Sequence, residues 1–129
     1  MASILRVNTL TDASSNNSIA TSTIFNGTAK VWVNFNGTGT IAIRDDTNAA
    51  SLTDHGTGNY TVTFTSAMTD TNYCTNVTAD SDTNNSAARI GTTYSLGTTS
   101  SIRMIVYNSA ASAHQDPAVN NVSVQGDLA

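Results

Sequence analysis

The sequence predicts an all-β fold, an antiparallel β-sandwich or small barrel with a short N-terminal arm, and three observations carry that prediction. Thr, Asn and Ser together supply 52 of the 129 residues, while Glu is absent and Pro occurs once. Strong helix formers are therefore scarce, and β-branched and turn-forming residues abundant. From Thr23 onward apolar and polar residues alternate at the two-residue period of a half-buried strand. Clusters of turn residues, "TDTN", "DSDTNNS", "GTTS" and "SAASAHQDPAVNN", separate the later alternating runs, and no helical period is legible anywhere in the chain.

In chain order, residues 1–19 read as an arm: a short apolar run in which Leu5 and Val7 alternate with Arg6 and Asn8, then a polar Ser/Asn loop. Residues 20–129 read as one β-sandwich domain. Its best-defined unit is "KVWVNFNGTGTIAIRD". Val31, Val33 and Phe35 share one face against Lys30, Trp32 and Asn34, and Ile41 and Ile43 oppose Ala42 and Arg44. The Asn36-Gly37-Thr38-Gly39 segment accepts the positive φ that a hairpin turn of the correct twist requires. A short run around Leu52 leads through an Asp54–Gly58 turn to Tyr60, Val62 and Phe64, which share a face. Further strands are predicted at Tyr73–Ala79, Ala88–Leu96, Ser101–Asn108 and Val119–Gln125, with no repeat of fixed length among them.

Composition removes several functions. A net charge of -4 with five scattered basic residues gives no electrostatic footprint for nucleic acid. "MASILRVNTL" lacks the apolar core of a signal peptide, and no stretch approaches the roughly 20 apolar residues of a membrane span. Synthesis in a cytoplasm without bilayer insertion is the expectation. Leu, Ile, Val and Phe number only 25, a thin core that invites support from a subunit interface.

Catalytic sets are hard to assemble from these residues. The nine Asp fall in turn-like places where carboxylates cap backbone N–H groups, and the adjacent Asp45 and Asp46 read as a solvated strand end. Nucleophilic catalysis needs a base held against Ser or Cys, and the histidines are His55, in "DHGTG", and His114, in "AHQDP". Cys74 cannot form an intrachain disulfide and reads as a small core residue. "DSDTNN" places oxygens of Asp80, Asp82 and Asn84 at positions 1, 3 and 5 of a calcium-type loop, but Asn85 and Gly91 stand where Gly and Glu are needed. A plain polar loop is the preferred reading, and no cofactor or metal is expected. Seven Asn-x-Ser/Thr triplets, beginning at Asn16, Asn26, Asn36, Asn59, Asn76, Asn84 and Asn121, follow from the composition and are not read as glycosylation sites.

Trp32 is the most suggestive polar-face residue. On a surface rich in Asn and Thr an exposed indole can stack on a sugar face, and Trp is also what oligomer interfaces favour; the interface is preferred on that enrichment.

"AKVWVNFNGTGTIAIRD", "SLTDHGTGNYTVTFTSAMTDTNY" and the closing "VSVQGDLA", with the opening "SILRVNTLTDASSNNS", resemble a module at the ends of tail-fibre and related virion surface proteins of tailed, notably marine, bacteriophages. The likeness covers nearly the whole chain and is least in residues 80–118. Thr69 stands where a proline is common and Val31 replaces a smaller residue beside Trp32; both read as tolerated changes. The resemblance implies presentation and adhesion rather than catalysis, a homotrimer, and a place in the virion beside other tail or capsid proteins. Trp32, Phe35, Tyr60 and Phe64 are then candidates for core and interface. Host-surface glycan or protein contact is expected from residues 80–89 and 109–118, with Asp80, Asp82, Asn84, Asn85, His114 and Gln115 as the loop candidates.

The rival expectation is a capsid decoration protein whose arm, with Ile4, Leu5, Arg6 and Val7 as attachment candidates, grips neighbouring subunits. Brevity and the missing stalk favour that rival. A glycan-cleaving depolymerase would need a carboxylate pair in a groove, which the sequence does not supply.

Overall fold

The computed structural model describes residues 4, 6–80, 89–93, 97–109 and 111–129. The fold is an all-β sandwich preceded by a small hairpin and one short helix. Strands β1 (Thr9–Thr11) and β2 (Ser18–Ala20) pair antiparallel. Asp12 closes the turn between them, its carboxylate accepting from the Asn16 N–H at 3.0 Å and the Asn17 side chain at 2.7 Å. Helix α1 (Thr21–Gly27) follows directly and buries none of its residues. The polar loop expected at this end is therefore folded, and the expectation of strand alternation from Thr23 without any helix is corrected over Thr21–Gly27. Seven residues are too few to show a 3.6-residue period, and α1 has no apolar face against the sandwich to create one. Its C-terminal end is held by Lys30, whose ammonium donates to the Phe25 carbonyl and to Thr28 Oγ1 and lies 3.8 Å from the Phe25 ring centroid. A cation there also suits the negative end of the helix dipole.

The first sheet begins with β3 (Val31–Asn36) and β4 (Ala42–Thr47), the expected hairpin. Phe35 pairs with Ile43 but Asn34 with Asp45, so Arg44 is an extra residue in a β-bulge. The bulge shifts the parity of the rest of β4. Asp46, opposite Val33, is half-buried and accepts the Ala49 N–H at 3.0 Å, while Asp45 is exposed. Neighbours in a strand project to opposite faces, so Asp45 and Asp46 do not form a carboxylate pair.

Asn48 alone carries the chain from β4 into the second sheet, where β5 (Ala49–Asp54) pairs with β6 (Asn59–Phe64). Asn48 sits at φ 61°. Its Nδ2 donates to the Lys30 and Ser66 carbonyls, each at 3.1 Å, and its Oδ1 accepts the Ser66 N–H at 2.7 Å. A side-chain amide thus satisfies the backbone that the corner leaves unpaired.

The chain then returns to the first sheet as β7 (Cys74–Asp80) and to the second as β8 (Arg89–Thr93) and β9 (Ser101–Asn108). The two-residue β10 (Ala113–His114) folds back on β9, and β11 (Val119–Gln125) enters the first sheet between β3 and β7. The first sheet thus runs β4-β3-β11-β7; in the second, β9 lies between β6 and β8, and β5 pairs the other side of β6.

The core is what the two inner faces share. Val31, Val33, Phe35, Val122 and Val124 of the first sheet meet Tyr60, Val62, Phe64, Ile102, Met104 and Val106 of the second, all 5% exposed or less. Phe35 and Tyr60 meet edge to face at 5.2 Å between ring centroids, the arrangement aromatic quadrupoles favour. The thin apolar content is concentrated at alternate positions of the four central strands. Cys74 is a correction: it is exposed, not core. Val77 and Ala79 are the residues of β7 packed on the core, and Cys74 has the opposite parity.

Candidate functional site

Three places hold the side chains from which a site could be built. The first is the end where β6 starts. Tyr60 is fully buried, and its hydroxyl donates to Asp116 Oδ1 at 2.6 Å. The same oxygen accepts the Gly58 N–H at 2.6 Å. Beside them, the Pro117 carbonyl accepts the Gly37 N–H and Asn120 Nδ2, both at 3.0 Å. A Cβ on Gly37 would stand 2.6 Å from the Tyr60 hydroxyl and 2.8 Å from the Pro117 carbonyl, so only glycine fits at this turn of the β3–β4 hairpin. Burial, and then the Asp116 carboxylate, push the Tyr60 phenol above its ordinary 10.0. It therefore stays a neutral donor, and the cluster latches the β10–β11 loop across the end of both sheets.

The latch changes how the 109–118 segment reads. Instead of a free loop it contains β10 and the inward-turned Asp116. Gln115 is half-buried, its Oε1 accepting Asn108 Nδ2 at 2.7 Å, whereas His114 is exposed and edge-on to Tyr107. Sequence reading missed Asp116 and Asn120; the signal available was the turn-forming "DP" followed by an Asn in phase with Val122 and Val124. Asp80 ends β7, and Asp82, Asn84 and Asn85 lie outside the described residues. The histidines engage different groups, His55 Nε2 lying 3.0 Å from Thr61 Oγ1.

The second place is the N-terminal unit. Among the described residues, the exposed large apolar side chains are Ile4, Val7, Leu10, Ile19, Ile24, Phe25 and Trp32. All but Trp32 precede the sandwich. Of the four arm candidates, Ile4 is 75% exposed, Val7 and Arg6 are also exposed, and Leu5 lies outside the described residues.

The third is the outer face of the first sheet. Phe35, Tyr60 and Phe64 are consumed by the core, but Trp32 points the other way and is 37% exposed. It borders a groove of about 230 Å³ with Asn76, Thr78, Asn121 and Ser123, floored by Val33 and Val122. Register explains the gathering: Ser123 stands opposite both Trp32 and Asn76, and Asn121 opposite both Asn34 and Thr78. Two rows therefore cross β3, β11 and β7. In one, Asn34 Nδ2 donates to Asn121 Oδ1 at 2.6 Å and Asn121 Nδ2 to Thr78 Oγ1 at 3.2 Å. Beside the other, Asn76 Nδ2 donates to Gln125 Oε1 at 3.1 Å and Gln125 Nε2 to Ser123 Oγ at 3.3 Å. These bonds fix the amides in place, and the residues lining the groove offer amides, hydroxyls and an indole with which to bind and orient a ligand.

No protein-family model, curated protein or solved structure matches the chain. Its class is therefore defined by its own architecture, a two-sheet antiparallel β-sandwich with a latched loop end. What individualises it is the amide-rich, tryptophan-bearing groove on the outer face together with the apolar hairpin and helix at the N-terminus.

Proposed function

We propose that this chain is a structural surface protein of a tailed-phage virion, a fibre-type module that is held by its N-terminal unit and presents its sandwich for host attachment. The observation that carries the reading is the segregation of exposed apolar residues. Among the described residues, six of the seven fall at or before Phe25, outside the buried core, while the sandwich is apolar inside and largely clad in Thr, Asn and Ser outside. A patch of that kind marks a contact surface. A module fixed at one end and hydrophilic elsewhere suits presentation, and the tail-fibre-like sequence blocks point the same way. The working assembly is a homotrimer beside other virion proteins.

A second reading, capsid decoration, is favoured by one feature. The N-terminal segment folds back as a β1–β2 hairpin and a short helix, a shape suited to gripping a foreign surface. One experiment addresses both. Antibody raised to the recombinant chain is applied to intact particles, and the gold label is located by electron microscopy. Label at the tail is the expected result, label over the head replaces the fibre reading with decoration, and unlabelled particles refute both.

A further inference from the structure

We infer that the Trp32 groove on the outer face of the first sheet is a binding site for a neutral saccharide. The inference deepens the presentation role above and rests on it only for its biological setting. Strands lie about 4.8 Å apart and alternate residues of one strand about 6.8 Å apart, so the two rows crossing β3, β11 and β7 frame an area the size of a sugar ring. An indole stands at one corner, with amides and hydroxyls along the rows. The groove, about 230 Å³, is smaller than the roughly 300–1,000 Å³ that take drug-sized ligands.

Sugar chemistry fits this arrangement at both kinds of group. A pyranose presents a face of C–H bonds that an aromatic ring can cover, and a rim of hydroxyls that each donate and accept. Within the two rows, Asn34, Asn76 and Asn121 each spend one N–H of the side-chain amide on a neighbour. The second N–H of each remains, as does the Asn76 carbonyl oxygen, already oriented by the first bond. Preorganised amides reduce the ordering cost of binding.

Charge decides against other ligands. No Lys or Arg lines the groove, and exposed Asp45 stands opposite Asn34 on β3, so an acidic sugar or a phosphate would meet repulsion without a counter-charge. A second copy of the chain is disfavoured by composition. A stable interface buries about 800 Å² per partner around an apolar centre, whereas this groove offers one large apolar side chain among Asn, Thr and Ser.

Trp32 is the only tryptophan, so tryptophan emission, excited selectively over tyrosine, reports on this face alone. The purified full chain is titrated with short neutral oligosaccharides of glucose, galactose, mannose, rhamnose and N-acetylglucosamine, and calorimetry repeats any titration that saturates. The expected result is a saturable emission shift with at least one of these sugars. Read by calorimetry, since the variant carries no tryptophan, Trp32→Ala should weaken that binding about tenfold or more, a loss of about 1.4 kcal/mol per factor of ten. Asn76→Ala should weaken it about threefold, and Trp32→Phe should retain part of it. Unfolding midpoints of the variants matching the parent show that the fold is intact. No shift with any of the sugars overturns the inference. So does an emission maximum that moves on protein dilution alone, with an oligomer that Trp32→Ala splits in light scattering, because a second copy then covers the face. Gold labelling of particles reads the virion proposal separately, and sugar binding by a chain absent from particles would reject that proposal while leaving the saccharide site standing.

Discussion

Two single residues carry disproportionate structural weight, and neither is apolar. Asn48 turns the chain between sheets at φ 61°, with three side-chain hydrogen bonds to the backbone. Asn48→Ala forfeits those bonds and places a Cβ-bearing residue without a compensating amide in the left-handed region, a loss of about 2–4 kcal/mol. Asn48→Gly loses the bonds alone, and its smaller deficit in denaturant unfolding separates the two contributions. Tyr60 is the other. Tyr60→Phe removes its donation to Asp116 and should lower neutral-pH stability by about 1–3 kcal/mol. Burial and the neighbouring carboxylate raise this phenol above 10.0, and burial raises Tyr73. Below the unfolded-state value both states hold the proton and the contribution is complete. Above about pH 10 the unfolded chain releases it first, so stability falls as pH rises. Equilibrium unfolding across the alkaline range should show that fall, reduced in Tyr60→Phe.

Among the elements, the β3–β4 hairpin shows how one strand serves two surfaces. Val31, Val33 and Phe35 are sealed in the core, while Trp32 between them stands 37% exposed over the outer groove. Phe35→Ala opens a cavity against Tyr60 and should cost about 3–5 kcal/mol, a large part of the roughly 5–15 kcal/mol that holds a domain together. Trp32→Ala should change the unfolding free energy by about 1 kcal/mol or less. Comparable losses for the two would mean that Trp32 packs more deeply than its exposure indicates. That a hairpin forms here, and which residues of β3 face the core, was legible in the sequence because alternation and a glycine-bearing turn are local signals. The Arg44 bulge was not. A bulge relieves a mismatch in twist and register with the partner strand, and it moves Asp46 inward without leaving a mark on the alternation that precedes it.

For the whole molecule, the division of labour between the N-terminal unit and the sandwich can be tested by truncation. β1, β2 and α1 contribute no residue to the buried core. Deleting residues 1–20, which leaves α1 and the Lys30 contacts in place, should change the unfolding free energy by no more than about 1 kcal/mol while abolishing incorporation into particles. A truncated chain that unfolds at a much lower denaturant concentration would show that the hairpin supports the fold. The same truncation leaves the Trp32 groove intact, so saccharide binding should persist in the shortened protein.

Residue order alone was enough for the all-β class, for the spans Ser101–Asn108 and Val119–Gln125, and for the identity of Val31, Val33, Phe35, Tyr60, Val62 and Phe64 as one-faced residues. Side-chain period and turn chemistry are local properties, written in neighbouring letters. Packing of the complete chain was needed to put β11, last in order, between β3 and β7, and so to join Asn34, Asn121 and Thr78 in one hydrogen-bonded row beside Trp32. Packing also brought Asp116 to Tyr60, 56 positions away. Those neighbours are set by which sheet edge is left open when the core closes, a property of the folded whole that no window of sequence contains.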